Sequence, residues 1–398
     1  MAFEDKNLAS LTEDDIRTLV ATGRREGPTL EYKSELYETG DRGNREFLLD
    51  VCMFANASGG TILIGIPEMR DAQERATGAP DDAELGVDCP NPEQVLLGYE
   101  TRILEAIDER LPVEMAAINL ANGRHIFAIR IPNSLAKPHR VRYQKHTYFP
   151  SRRERHRYEL DAREIKDIAM RTASQSERAE AIVASAINDP INMDPNAPVL
   201  IAALVPVFSN NFIVDLKLQA VFDALMTFAL PGEGSVIPRY SVDGLQRIGP
   251  RNLTLRFAHN GLLKLRAPIA SRMVQIDTPI HRGAGTRFYP TAIDLFLRAL
   301  LVGGANVIEA AGLTPPALLG VSLWTRHPYV AAHDDENLGT VFPGATHKFP
   351  ILPLTTLGRS ADSQVRQLCD LIHQTFGLSG SPLFTMDGKW QGRESWRE

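Results

Sequence analysis

Two glutamates five residues apart stand near the start of the chain, in Arg25-Glu26-Gly27-Pro28-Thr29-Leu30-Glu31-Tyr32-Lys33. A third acid, Glu68, follows the apolar run Gly60-Thr61-Ile62-Leu63-Ile64-Gly65-Ile66-Pro67. Clustered carboxylates attract a hard divalent cation, and such a cation activates water against a phosphodiester. That chemistry needs Glu26, Glu31, Glu68 and Lys33 to converge at one end of a sheet. The plainer reading leaves each glutamate as a solvated strand or loop residue.

Convergence depends on two strands lying side by side. Thr29 to Lys33 alternates as a short strand within a Glu26 to Lys33 segment, and Thr61 to Ile66 reads as a buried strand. Between them the periodicity predicts a helix from Asn44 to about Ala57, with Phe47, Leu48, Val51, Phe54 and Ala55 inward. Ser58-Gly59-Gly60 ends that helix in a tight turn. Upstream, a helix is expected from Thr12, its N-cap, to about Thr22. Downstream, Met69 to Pro92 reads as an exposed loop, and Pro92 to Arg110 as a helix. Val113 to Leu120 and His125 to Ile131 read as a hairpin across a two-residue Asn122-Gly123 turn.

A basic-aromatic segment follows. Lys137, Arg140, Arg142, Lys145, Arg152, Arg153, Arg155 and Arg157 face only Glu154, with His139, Tyr143, His146, Tyr148 and Phe149 interleaved. In a chain of net charge −6 this is a local footprint for phosphates, with aromatics able to stack on exposed bases. The alternative is a solvated strand pair neutralised by the acidic Met69 to Asp88 stretch.

The 398 residues allow two domains. A helix from Asp161 to Arg171 closes the first, at about residue 172. A polar helix and a linker (Asp189-Pro190, Asp194-Pro195) occupy 173–198, and 199–398 form a second, α+β domain. There a strand is expected over Val199 to Phe208 and a hairpin over Leu253 to Leu265. Helices are expected over Leu216 to Phe228, Thr291 to Val302 and Ser363 to Phe376. The acidic balance argues against a protein coated in nucleic acid. Met1-Ala2-Phe3-Glu4-Asp5-Lys6 shows no signal peptide, and Asp294 and Arg298 break the apolar stretch from Ile293. Three widely spaced cysteines, Cys52, Cys89 and Cys369, suit a reduced, cytoplasmic compartment away from a membrane.

Two motifs are set aside. Gly377-Leu378-Ser379-Gly380-Ser381-Pro382 is similar to the nucleophile loop of trypsin-like proteases, but it follows a helix for which Gly377 is a natural cap. His281-Arg282-Gly283-Ala284-Gly285-Thr286 lacks the Gly-Lys-Ser/Thr ending of a phosphate loop.

Glu26-Gly27-Pro28-Thr29-Leu30-Glu31-Tyr32-Lys33 and Phe54-Ala55-Asn56-Ala57-Ser58-Gly59-Gly60-Thr61-Ile62-Leu63-Ile64-Gly65-Ile66 resemble the Schlafen family's AlbA-like domain. Thr147-Tyr148-Phe149-Pro150-Ser151-Arg152 is similar to its Tyr-x-Arg stretch. The resemblance covers roughly residues 10 to 172 and implies an α+β fold, a mixed sheet with flanking helices. It also implies a metal-dependent endoribonuclease acting on tRNA-like or other structured RNA, as in the vertebrate members. Glu26, Glu31 and Glu68 would then bind Mg²⁺ or Mn²⁺, with Glu68 standing where those nucleases have aspartate. Lys33 would steady the phosphate, and Lys137, Arg140, Arg142, Lys145, Tyr148, Arg152 and Arg153 would hold RNA in preference to DNA. A homodimer would supply the second wall of the groove. A sensor joined to such an RNase would suit antiphage defence. The competing reading is a non-catalytic DNA-binding regulator, in which Glu26 and Glu31 serve strand pairing and local ion pairs. Nucleotide (ATP) binding at the Gly59-Gly60 turn is a weaker third.

Overall fold

The computed structural model describes residues 8, 11–153, 156–188, 197–208, 214–232, 236–269, 271–277, 282–325, 328–332, 338–342 and 346–392. The expected linker prolines Pro190 and Pro195, and with them Arg155 and His281, lie outside those residues. The chain is an α+β protein that divides into two units, Met1–Ser174 and Gln175–Glu398.

The first unit runs α1 (Glu13–Ala21), β1 (Leu30–Lys33), α2 (Asp41–Asn56), β2 (Gly60–Ile64), β3 (Glu68–Arg70), β4 (Ala76–Pro80), α3 (Pro92–Ala106) and β5 (Ile107–Asp108). It continues through β6 (Glu114–Asn119), β7 (His125–Ile131), β8 (Arg140–Tyr143), β9 (His146–Tyr148), β10 (Pro150–Arg153) and β11 (His156–Glu159) to the start of α4 (Ala162–Ile187), whose later residues belong to the second unit. Its main sheet has the order β1-β2-β7-β6, with β1 and β2 parallel and the other pairs antiparallel. Both faces of β2 are covered, which is why Ile62, Leu63 and Ile64 are apolar without alternation. Ile62 and Ile64 join Phe47, Val51 and Phe54 of α2 and Tyr99 and Ile103 of α3. Leu63 joins Leu30, Tyr32, Ile16 and Leu19 on the opposite face.

Several expectations differ from this structure. Met69 to Pro92 is not an open loop. It contains the β3–β4 hairpin, and Leu85, Val87 and Cys89 are buried. Val87 exchanges both backbone hydrogen bonds with His125, a one-residue ladder hidden among Asp and Gly. The β6–β7 turn spans three residues, Ala121 to Gly123, because Asn119 pairs with His125 and Leu120 N–H reaches Arg124 O. The two helices expected around residue 172 are one, since Arg171-Thr172-Ala173-Ser174 holds no Gly or Pro to stop it.

The second unit follows with β12 (Val199–Pro206), α5 (Gln219–Thr227), β13 (Arg239–Ser241), β14 (Gly244–Ile248), β15 (Thr254–Phe257), β16 (Leu263–Pro268), β17 (Ser271–Asp277), β18 (Arg282–Phe288) and α6 (Thr291–Ala310). It ends with β19 (Ala317–Trp324), β20 (Tyr329–Ala332), β21 (Leu338–Phe342), β22 (Thr346–Lys348), β23 (Leu352–Leu354) and α7 (Asp362–Thr375). An antiparallel sheet ordered β13-β14-β15-β16-β12-β19-β22 centres on β12, and β23 also pairs with β19. Every residue of β12 is buried. Helix α6 has the length and composition to cross a membrane, yet it is a core helix here, with Ile293, Leu297, Leu300 and Val307 in the main cluster of this unit.

Candidate nucleic-acid interface and the glutamate trio

The strands that carry the acids are neighbours. Glu31 lies opposite Ile62 and Lys33 opposite Ile64 in the parallel β1–β2 pair. Alternation along β1 sends Leu30 and Tyr32 into the core beside α1 and turns Glu31 and Lys33 to the α2 face. There they meet an ion network that is buried at Arg152 and Asp50 and open at Glu46 and Arg157.

Arg152 of β10 reaches Glu31 Oε2 at 2.6 Å, its side chain only 1% exposed, with its guanidinium 4.7 Å from the centre of the Phe54 ring. Lys33 Nζ is 3.1 Å from Asp50, 3.5 Å from Glu31 and 3.6 Å from Glu46. Asp50 also accepts from Arg157 at 2.8 Å and from the Tyr37 hydroxyl at 3.0 Å. Burial and the neighbouring Glu26 charge raise the Glu31 carboxyl above its ordinary range, against the pull of Arg152 and Lys33. For Lys33, burial works downward but Asp50, Glu31 and Glu46 outweigh it and hold the ammonium above its usual value. Three acids and three bases thus balance between β1, α2 and the β10–β11 hairpin.

Glu26 and Glu68 also have hydrogen-bond partners within the protein. Glu26 Oε1 accepts the Tyr32 N–H at 2.8 Å, satisfying a donor on edge strand β1, and its own N–H reaches Gly78 O. Glu68 Oε2 accepts the Gly78 N–H at 2.9 Å within the β3–β4 hairpin. Each member of the trio therefore has an oxygen committed to a cation or N–H of the protein itself. Among the described residues no three His, Cys, Asp or Glu side chains gather to hold a metal ion. As placed, Glu26, Glu31 and Glu68 do not form the shared donor set expected for Mg²⁺ or Mn²⁺.

The seven residues expected to hold nucleic acid separate by strand alternation. Lys137 is turned inward: Nζ donates to Ala57 O at 2.6 Å, and burial pushes its pKa down to about 8. Tyr148 packs against the core with Val141 and Tyr143, and Arg152 is buried on Glu31. Arg140 and Arg142 point outward with 45% and 58% of their side chains exposed. Lys145 is exposed at the β8–β9 tip, where Gln144 and Lys145 have φ of 48° and 66° and make a two-residue turn matched to the strand twist. Arg153 is 77% exposed in the β10–β11 hairpin, over the Tyr158 ring and 3.8 Å from Glu164. The acid facing Arg140 and Arg142 is Asp108 of β5, not the acidic 69–88 stretch.

Asn56 is the residue that the motif concealed. Its Nδ2 donates to His139 O at 2.8 Å and Pro150 O at 2.9 Å, and its Oδ1 accepts the His139 N–H at 2.6 Å. It thereby ties the end of α2 to the entries of β8 and β10. His139 is wholly buried, with Ser134 Oγ 2.6 Å from Nε2 and the carbonyls of Asp108 and Glu109 at Nδ1, and burial lowers its pKa. The Gly59-Gly60 turn serves the same junction. A Cβ on Gly59 (φ +73°) would lie 2.5 Å from Asn133 N, and one on Gly60 2.6 Å from the Phe54 ring. Asp50 had a weak signal in the sequence, a lone charge inside an apolar helix stretch. Asp108 had none.

In the second unit Ser381 Oγ donates to Asp294 Oδ2 at 2.7 Å, the oxygen that His373 Nε2 meets at 2.8 Å. A carboxylate stands where a nucleophilic serine needs an imidazole, and all three residues are buried.

A βαβ pair inside a mixed sheet, with basic hairpins pinned to the end of its helix, defines the class of this unit. The family model described as Schlafen, AlbA_2 matches residues 26–180. The N-terminal part of the chain is a Schlafen AlbA_2 domain, which points to a nucleic-acid-related function. Among solved structures, the N-terminal domain of a RecG-related protein from Nitrosomonas europaea is 14% identical, with 38% of this chain and 93% of that one covered and a TM-score of 0.27. The DIP2311 protein from Corynebacterium diphtheriae is 16% identical, with 46% of this chain and 29% of that one covered and a TM-score of 0.24. No curated protein matches the chain.

Proposed function

We propose that the N-terminal unit is a non-catalytic nucleic-acid-binding module that grips the phosphate backbone of a duplex with the outward face of the β8–β9 hairpin. The observation that carries this is the division of that hairpin. Arg140 and Arg142 lie on its outer face and Lys145 at its tip, while Tyr143 and Tyr148 are half-buried against the core. Cations fix a duplex through its phosphates, whereas single strands are held by stacking on exposed rings. Arg153 adds a further exposed cation. Glu26, Glu31 and Glu68 have structural duties in this reading: edge-strand satisfaction, a buried ion pair and a hairpin hydrogen bond.

Fluorescence polarisation with labelled duplex RNA, duplex DNA and their separated strands tests it. Duplexes are expected to bind more tightly than either strand, with little dependence on sequence. Tighter binding of the single strands would point to base stacking and overturn the backbone reading. RNA cleavage by the wild type supported by Mn²⁺, and lost in Glu31→Gln at a temperature where that variant remains folded, would overturn the non-catalytic one.

A further inference from the structure

Asp108 makes to Arg140 and Arg142 the contacts that a phosphate would make. Arg140 Nε donates to Asp108 Oδ2 at 2.8 Å; Arg142 Nη2 donates to Oδ1 at 2.9 Å, and its Nε lies 2.9 Å from Oδ2. One anionic group thus bridges two guanidinium groups on alternate positions of one strand face. The arrangement is built into the sheet, because β5 pairs with β8 and sets Asp108 directly opposite Arg140. The Asp108 side chain is 32% exposed, so the bridge sits at the surface where an incoming anion can reach it. The hydrogen bond from Arg140, helped by the charge of Arg142, holds the carboxyl below its usual range, so it is anionic at neutral pH.

We infer that Asp108 is an intrinsic phosphate surrogate: nucleic acid engages the hairpin by displacing it, and its charge sets how weakly the module binds. This rests on the function proposed above. Surface ion pairs of this kind are individually weak, so displacement is within reach of a polyanion. The carboxylate keeps both arginines aligned while suppressing weaker anions, which gives selectivity for ligands that present successive phosphates.

The test is a four-corner comparison of duplex DNA binding at low salt by the full-length protein: wild type, Asp108→Asn, Arg140→Ala/Arg142→Ala, and the three changes together. Asp108→Asn is nearly isosteric and leaves the backbone carbonyl to His139 in place. It is expected to tighten binding about three- to tenfold, an advantage that shrinks as salt screens the charges. Its plot of log affinity against log salt steepens by about one unit, the worth of one extra free cation. On the arginine-free background the same change should gain nothing. An equal gain there would mean that removing any acid helps, and would overturn the surrogate role. No gain in Asp108→Asn, with binding still lost in the arginine variant, would overturn this inference but leave the hairpin as the interface. Undiminished binding by the arginine variant would instead defeat the function proposed above.

Discussion

Glu31 and Arg152, separated by most of the N-terminal unit in sequence, meet at 2.6 Å with the arginine side chain almost wholly buried. The glutamate that spacing alone marks as a metal ligand is one half of an ion pair that fastens β10 to the central sheet. Phe54 lies against the same guanidinium, so the Phe-Ala-Asn and Glu-Tyr-Lys stretches describe one junction.

Breaking that pair from one side leaves a buried charge without its nearest counter-ion. Glu31→Gln and Arg152→Met are each expected to cost about 3 kcal/mol of stability. Urea unfolding of both and of the double variant should show a combined loss clearly smaller than the sum. A loss below about 0.5 kcal/mol in either single variant would mean that the pair behaves as an exposed one.

Asn56 closes three buried hydrogen bonds at once. Asn56→Ala should lower stability by about 2–4 kcal/mol. Hydrogen exchange should also quicken at His139 and along β8 before it does so in β2 and β7. Uniform acceleration across the sheet would show that the side chain serves global stability without anchoring the hairpin.

Lys137 gives the molecule a signature at alkaline pH. Its folded pKa, about 8, lies below the ordinary value of 10.5, so between those values the unfolded chain holds more protons. Stability attributable to this group therefore rises with pH across that window, by about 2 kcal/mol between pH 7.5 and 9.5, and is flat below it. Urea midpoints of wild type and Lys137→Met at pH 7.5 and 9.5 should reveal the rise only in the wild type.

Ser381 is expected to behave as packing, not as a nucleophile. Ser381→Ala removes a donor to the buried Asp294 carboxylate and should cost about 1–2 kcal/mol. A fluorophosphonate probe should leave the wild-type serine unlabelled; labelling would contradict the Ser–Asp–His order.

The sheet that positions these groups was readable wherever a local pattern carried the signal. The apolar run through Ile62 to Ile64 and the helical spacing from Phe47 to Phe54 announce β2 and α2 by periodicity. What faces what was less readable. Arg152 and Arg153 are adjacent and chemically equal in sequence, yet strand alternation buries the first and exposes the second. The partner that neutralises Arg140 and Arg142, Asp108, lies in the last turn of the helix expected over Pro92 to Arg110 and instead joins a two-residue strand through tertiary pairing. Glu68, expected to join Glu31, is drawn instead to Gly78 by a hairpin that the Gly- and Ala-rich stretch disguised as loop.

The outward face of the β8–β9 hairpin as a phosphate grip is tested most directly by salt dependence. Affinity of wild type and of Arg140→Ala/Arg142→Ala/Lys145→Ala for one duplex would be measured across a salt series, with near-ultraviolet circular dichroism confirming an unchanged fold. Each lost phosphate contact should flatten the log–log slope by about 0.9, so the variant is expected to be shallower by about 2 to 3 units and at least tenfold weaker at low salt. Superimposable lines for the two proteins would contradict the account.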